Sequence, residues 1–239
     1  VAAPGATVPP EEITRVKGLG FLRDKNTPDC FNGRVITRNG KITAEESQCI
    51  TEAARLIGSD EIGVDISIDQ FYIEEDGHKY MFWGSFRGIW AIELADDGLS
   101  LKPGAGKRKI AGDQYEGTYI HKRDGYYYLI VSTGDFMKDY HVVVGRSRSL
   151  MGPYVDRAGR DMLGVHHELV VGNGNGFVAP GHNAEFITDD KGQDWMLYHT
   201  RLEVGGPRYL LLDRIEWNDG WPEVRGHVPA RSAEAPVFE

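Results

Sequence analysis

Beyond its first quarter, this chain carries its apolar residues in short, aromatic-rich runs broken by Asp-Gly and Gly-rich steps, a rhythm of strands and turns. In "SIDQFYIEEDGHKYMFWGSF", Ser67 to Phe86, two such runs flank Asp76-Gly77, which predicts a β-hairpin. "YEGTYIHKRDGYYYLIVSTGD", Tyr115 to Asp135, repeats the plan around Asp124-Gly125. "GHNAEFITDDKGQDWMLYHTR", Gly181 to Arg201, repeats it around Asp190-Lys191-Gly192, with Trp195 opening the return strand. Each hairpin is led by a polar residue. Asp69, Glu116 and His182 stand 8, 9 and 10 positions ahead of their turn glycines.

The leads are 47 and 66 residues apart, a repeat length that suits units of several short strands. Further strand pairs fill the intervals: "GIWAIELADDGLSL" around Asp97-Gly98, "YHVVVGRSRSLMGPYV" around Met151-Gly152-Pro153, and "RYLLLDRIEWNDGWPEV" around Asp219-Gly220. Each pair is expected to supply the outer strands of a blade, making the chain an all-β protein of the β-propeller type. "GNGNGF", Gly172 to Phe177, lacks the Lys-Ser/Thr pair of a phosphate loop and reads as a flexible loop beside the site. The clearest helical pattern is Thr43 to Gly58. Thr43 and Glu46 form a capping box, Ile50, Ala53, Ala54 and Ile57 share one face, and Gly58 stops it. Residues 1–14 read as an extended, proline-bearing arm, which leaves 15–239 as a single domain.

Thirty glycines and eleven prolines agree with a turn-rich β protein, and 239 residues can bury a substantial core. A net charge of −9, from 27 Lys plus Arg against 36 Asp plus Glu, argues against nucleic acid or an anionic membrane as the main partner. No apolar run approaches the ~20 residues of a membrane span. Cys30 and Cys49 suit one bridge or two free thiols equally, and without a CxxC pair a cysteine zinc site is not expected.

Strands avoid Asp, so a carboxylate that heads one needs a reason. Capping of its own backbone in a turn is one. The other is geometric. In a propeller the innermost strands surround a central channel, and their equivalent ends gather around one axis. If the three hairpins are equivalent, Asp69, Glu116 and His182 meet in one pocket, two carboxylates and an imidazole suited to acid–base chemistry. A tandem array of unrelated hairpins is the plain alternative.

In order along the chain, "SIDQFYIEEDGHKYMFWGSFRGIWAIEL", "YEGTYIHKRDGYYYLIVS", "YHVVVGRSRSLMGPYVD", "PGHNAEFITDDKGQDWMLYH" and "LLLDRIEWNDGWPEV" resemble successive segments of glycoside hydrolase family 43, from Ile68 to Val224. The resemblance implies a five-bladed β-propeller with arabinanase, α-L-arabinofuranosidase or β-xylosidase activity. Its substrate would be an arabinose- or xylose-containing plant polysaccharide, cleaved with inversion. "GSFRGIW" and "PGHN" lean toward the arabinan-cleaving members. Inversion needs acid and base carboxyls about 6.5–9.5 Å apart, with a water between base and sugar.

By the same resemblance Glu116 is the general acid, and Asp69 is a third carboxylate that tunes and orients it. The Pro usual after that Asp is here Gln70. His182 matches a histidine beneath the substrate site, near which a calcium or other ion is often held through water. The chemistry itself requires no cofactor, and a hydrogen-bonded structural histidine is the alternative. Trp83, Ser85, Phe86 and Arg208 are candidates for sugar contact, because sugar C–H faces stack on aromatic rings while hydroxyls need fixed polar partners. Core packing for Trp83 and a surface salt bridge for Arg208 are the alternatives.

The family's general base is an Asp on the inner strand of the first blade, and no such pattern precedes Asp69. "RVKGLGFLRDKN" resembles the outer part of a second blade, and neither Asp29 nor Asp65 opens a recognisable inner strand. The propeller is therefore expected to be incomplete at its N-terminus. A second polypeptide or a second copy of the chain would then supply the base; otherwise the chain is a non-hydrolytic carbohydrate-binding propeller. Polysaccharide degradation implies an extracellular or periplasmic setting, although the sequence starts at Val1 without a signal peptide.

Overall fold

The computed structural model describes residues 62–238. The expected arm, the helix from Thr43 to Gly58, Cys30, Cys49, the Arg15–Asn26 segment and Asp29 all lie outside the described residues. Two compact units divide the chain between Lys109 and Ile110.

The first unit holds a four-stranded sheet that ends on the boundary. Its strands, in spatial order, are β1 (Phe71–Glu75), β2 (His78–Trp83), β3 (Ile89–Leu94) and β4 (Arg108–Ala111). The edge strand β1 alternates, with Tyr72 and Glu74 exposed between half-buried neighbours. β2 and β3 have partners on both sides and bury Met81, Phe82, Trp83, Ile89, Ala91 and Ile92.

The second unit holds two larger sheets and a ribbon. β5 (Glu116–Arg123), β6 (Tyr126–Thr133), β7 (His141–Ser147) and β8 (Glu168–Val171) lie in sequence order. β6 and β7 are central, so Tyr128 to Thr133 and Val142 to Gly145 are buried without alternation. In the next sheet β11 (Asp194–Arg201) pairs with β12 (Tyr209–Arg214) on one flank, and with β9 (Val178–Gly181) and β10 (Phe186–Thr188) on the other. β9 and β10 are thus two pieces of one inner strand, interrupted at residues 182–185 and bridged by the Ala184 N–H to the Leu197 carbonyl at 2.8 Å. β13 (Glu216–Asn218) and β14 (Trp221–Glu223) form a two-stranded ribbon. The helices among the described residues are two 3₁₀ turns, Met162–Gly164 and Arg225–His227.

Asp194, buried at the start of β11, fastens the pieces of the second unit together. It accepts from Arg123 Nη1 at 3.0 Å, Trp217 Nε1 at 2.8 Å and Thr188 Oγ1 at 2.6 Å. The Arg123 guanidinium also lies 4.5 Å from the Trp217 ring centre.

The predicted two-residue turns form as expected. Asp76-Gly77, Asp124-Gly125 and Asp219-Gly220 have φ pairs of 51° and 78°, 50° and 73°, and 51° and 72°, the doubly positive pattern whose twist matches the flanking strands. Two outer strands differ from expectation. After Asp97-Gly98 the return is a single bridge, Leu94 to Leu101, and the fourth strand is β4. After Gly152 the return is likewise a bridge, Arg146 to Val155, and the fourth strand is β8. Pro103 closes off the first of those returns, because proline cannot donate to a ladder. "GNGNGF" also differs. Gly174 and Phe177 exchange both backbone bonds, at 3.1 and 2.8 Å, around Asn175-Gly176 with φ of 53° and 83°. The segment is a tight hairpin turn, and its Asn-Gly pair was the legible signal.

Candidate active site

Glu116 opens β5, and the ladder slips directly after it. Glu116 pairs with Ser132, while Tyr119 pairs with Ile130, so β5 carries one extra residue. This is a bulge, and Gly117 makes it with φ 68°. A Cβ at Gly117 would also meet the His182 ring at 3.3 Å. The missing side chain lets the imidazole lie against the β5 backbone.

His182 stands in the break between β9 and β10, with φ 50°. Its backbone N–H donates to Ser132 Oγ at 2.8 Å. Since Ser132 is the ladder partner of Glu116, this bond brings the heads of two inner strands together. A Glu116 carboxylate oxygen and a His182 ring nitrogen lie within 4.8 Å of each other.

Tyr140 completes the arrangement. It immediately precedes β7 and is wholly buried, with 0 % exposure. Its hydroxyl donates to Glu116 Oε1 in a short bond, and the same oxygen lies 3.4 Å from His182 Nδ1. A phenol has one proton. With that proton on the Glu116 bond, the contact with His182 requires Nδ1–H as the donor. The order is therefore His182 Nδ1–H to Tyr140 oxygen, and Tyr140 O–H to Glu116.

Packing holds the ring in place. A Cβ on Gly181 would lie 2.1 Å from Tyr140 Cδ1, so only glycine fits beneath the phenol. His199 stacks on Tyr140 at 5.7 Å and 11°, and on His182 at 6.4 Å and 19°. Beside His182, the buried Asn183 gives its Nδ2 to the Ala184 carbonyl at 3.0 Å, while its Oδ1 has no partner among the described residues.

The other candidates are placed as follows. Asp69 lies in the first unit, half-buried just ahead of β1, with φ 60°. Backbone bonds continue past the strand there, from Gly84 N–H to the Ile68 carbonyl at 2.8 Å and from Ser85 N–H to the Ile66 carbonyl at 3.2 Å. Trp83 is wholly buried, the placement of a core residue, and its indole N–H finds no partner among the described residues. Ser85 is buried, and Phe86 is half-buried with φ 50°. Arg208 is exposed, with its guanidinium 5.8 Å from the ring centre of Phe136. Asp65 is exposed ahead of the first sheet.

Calcium takes six to eight oxygen ligands. The second unit offers one carboxylate and one imidazole whose Nδ1 faces Tyr140. Those two donors alone fall short of the six to eight that calcium takes. Sequence reasoning found Glu116 and His182 but missed Ser132, Tyr140, Gly181 and His199. The missed residues sit beside the site only through strand register and ring packing.

A sequence profile described as "Glycosyl hydrolases family 43" matches residues 34–222, beginning well ahead of the Ile68 at which the resemblance was first legible. An extracellular endo-alpha-(1->5)-L-arabinanase of Thermotoga petrophila is 32% identical over 182 residues, which is 63% of this chain and 39% of the relative. A xylan 1,3-beta-xylosidase of a Vibrio species is 28% identical over 252 residues, covering 94% of this chain and 46% of the relative. The solved Cellvibrio cellulosa alpha-L-arabinanase, complexed with arabinohexaose, superposes with a TM-score of 0.60 at 29% identity, over 66% of this chain and 57% of that one. The chain spans about half the length of the relatives it matches.

Proposed function

The chain belongs to glycosyl hydrolases family 43, whose fold is an all-β, five-bladed propeller, and on that premise we propose that it serves a glycosidase. The proposed substrates are arabinose- or xylose-containing plant polysaccharides and their oligosaccharides, cleaved with inversion. Glu116 is the general acid and Asp69 the carboxylate that tunes it. The general base is an Asp outside residues 62–238, supplied by this chain, by a second copy of it or by a second polypeptide. Arg208, Phe86, Ser85 and Trp83 are retained as candidate sugar contacts. Any ion near His182 is held through water. The proposed setting is extracellular, as the Thermotoga petrophila relative's printed name has it for that protein. No helix among the described residues is long and apolar enough to cross a membrane.

One observation carries this reading. Glu116 is a half-buried carboxylate at the head of an inner strand, supported by a wholly buried phenol and beside an imidazole. That is more construction than a turn-capping acid needs. It suits a group that must hold a proton and release it to a leaving oxygen.

Glu116→Gln tests it. Hydrolysis of unactivated arabinan or xylan oligosaccharides should fall about 10²- to 10⁴-fold, with binding retained. Aryl glycosides whose leaving groups need no proton should suffer much less. Equal loss on both kinds of substrate would exclude the acid role. Asp69→Asn tests the second assignment: if Asp69 tunes the acid by like-charge repulsion, its neutralisation lets the acid lose its proton more readily, and the alkaline limb of the pH–rate profile should move to lower pH. An unmoved limb would leave Asp69 a capping residue. If the natural, complete protein binds these oligosaccharides but never cleaves them, the carbohydrate-binding alternative stands.

A further inference from the structure

We propose that Tyr140 is the positioning residue of the general acid: it sets the transferable proton on Oε2 of Glu116 and supports the carboxylate left when that proton departs. This rests on the reading of Glu116 as the acid.

A carboxylic acid has one oxygen that accepts and one that carries the proton. Tyr140 donates to Oε1, which makes Oε1 the accepting oxygen and leaves the proton on Oε2. With its proton on that bond, the phenol oxygen is left to accept from His182 Nδ1–H, 3.4 Å away. When the glycosidic bond breaks, its electron pair goes to the leaving oxygen. That oxygen forms its new O–H bond with the proton from Oε2. Glu116 becomes a carboxylate, and water supplies the hydroxyl that replaces the leaving group while its other proton passes to the general-base Asp.

The Tyr140 bond changes character during this step. Before transfer it joins two neutral groups; afterwards its acceptor is charged, and such bonds are about twice as strong. A contact that strengthens as the reaction proceeds lowers the barrier, whereas one of constant strength does not. The ring cannot retreat. It is wholly buried, with the Gly181 backbone on one side and the His199 ring stacked on it. Its donor is thus aimed before the charge develops, and no solvent reorganisation is needed.

The test compares Tyr140→Phe with the parent in the natural, complete protein. On unactivated oligosaccharides kcat should fall about 10- to 100-fold with KM nearly unchanged, the size expected for a hydrogen bond to a charged group. Aryl glycosides with good leaving groups should change little. In a Glu116→Gln background, Tyr140→Phe should cost nothing further, since no carboxylate forms there. Equal loss on both substrates, or a full extra loss in the Gln background, would overturn the proposal in favour of a packing role. Should the Phe variant lose its fold, 4-fluorophenylalanine at position 140 replaces it, filling the hydroxyl's space while donating nothing. If Glu116→Gln itself shows no leaving-group dependence, the acid reading has failed. If it shows that dependence and Tyr140→Phe does not, only the present inference has failed.

Discussion

Two wholly buried tyrosines bear on the head of β5, and only one of them reaches Glu116. Tyr115 is the residue next to it, just ahead of β5, yet its hydroxyl finds a different partner. The Tyr115 hydroxyl lies 2.8 Å from His167 Nδ1, with the rings edge-on at 5.7 Å and His141 a further 6.3 Å from His167. Tyr140 pairs with His182 Nδ1 at 3.4 Å and has His199 stacked against it. Both pairs consist of a phenol, an imidazole and a second imidazole alongside. They differ in the carboxylate. Burial pushes the Tyr115 hydroxyl up; it also pushes the His167 imidazole down to about 4, helped by His141 and opposed by Asp156. That pair is neutral and fills space. The other donates its phenolic hydrogen bond to Glu116, the group proposed as the acid.

The most damaging way to break this comparison is Gly181→Ala. Its Cβ would stand 2.1 Å from the Tyr140 ring, and neither backbone nor buried phenol can yield cheaply. We expect a loss on the order of 3 kcal/mol in thermal or denaturant unfolding, with weakened oligosaccharide hydrolysis as the ring leaves Glu116. A variant of parental stability and activity would mean that the phenol is not held as described.

Tyr115→Phe sharpens the contrast. Losing one buried hydrogen bond should cost roughly 1–2 kcal/mol of stability, while both classes of substrate are hydrolysed in unchanged proportion. A selective loss on poor leaving groups, like that expected for Tyr140→Phe, would erase the distinction between the pairs.

His167 provides a comparison in pH. Its folded value lies below the ordinary value of 6.5, so the unfolded chain takes up its proton first. The stability it contributes is complete above about 6.5 and is lost as pH falls toward about 4, on the order of 1–2 kcal/mol after solvent screening. In His167→Phe that part of the decline should disappear from unfolding curves measured across this window. An identical slope in parent and variant would show that other groups cause it.

The smallest effect is expected at the opposite end of the same hairpin. Gly125→Ala places a side chain at φ 73° in the β5–β6 turn, costing about 1 kcal/mol. The ratio of activities on the two substrate classes should not move.

How much of this was legible in advance follows from how far each determinant reaches along the chain. The Asp76-Gly77, Asp124-Gly125 and Asp219-Gly220 turns depend on neighbouring residues that tolerate positive φ, and they were predicted in place. Asn175-Gly176 obeys the same rule and was equally readable. Glu116 and His182 were singled out because each interrupts an apolar pattern at a strand head.

The sequence by itself determined the strands, the tight turns and the family to which they belong, because those are written in contiguous residues. The tertiary structure decided which strand closes each sheet, since β4 and β8 arrive only after intervening segments make single bridges. It also decided what Glu116 meets. Counting back from the Asp124-Gly125 turn, where Arg123 faces Tyr126, pairs Glu116 with Thr133; the bulge at Gly117 moves the partner to Ser132. A slip of one residue exchanges the faces of a strand. Tyr140 then reaches Glu116 from 24 residues away, through a space that exists only because Gly181, on yet another strand, has no side chain. Such contacts depend on packing among distant segments, and no local pattern encodes them.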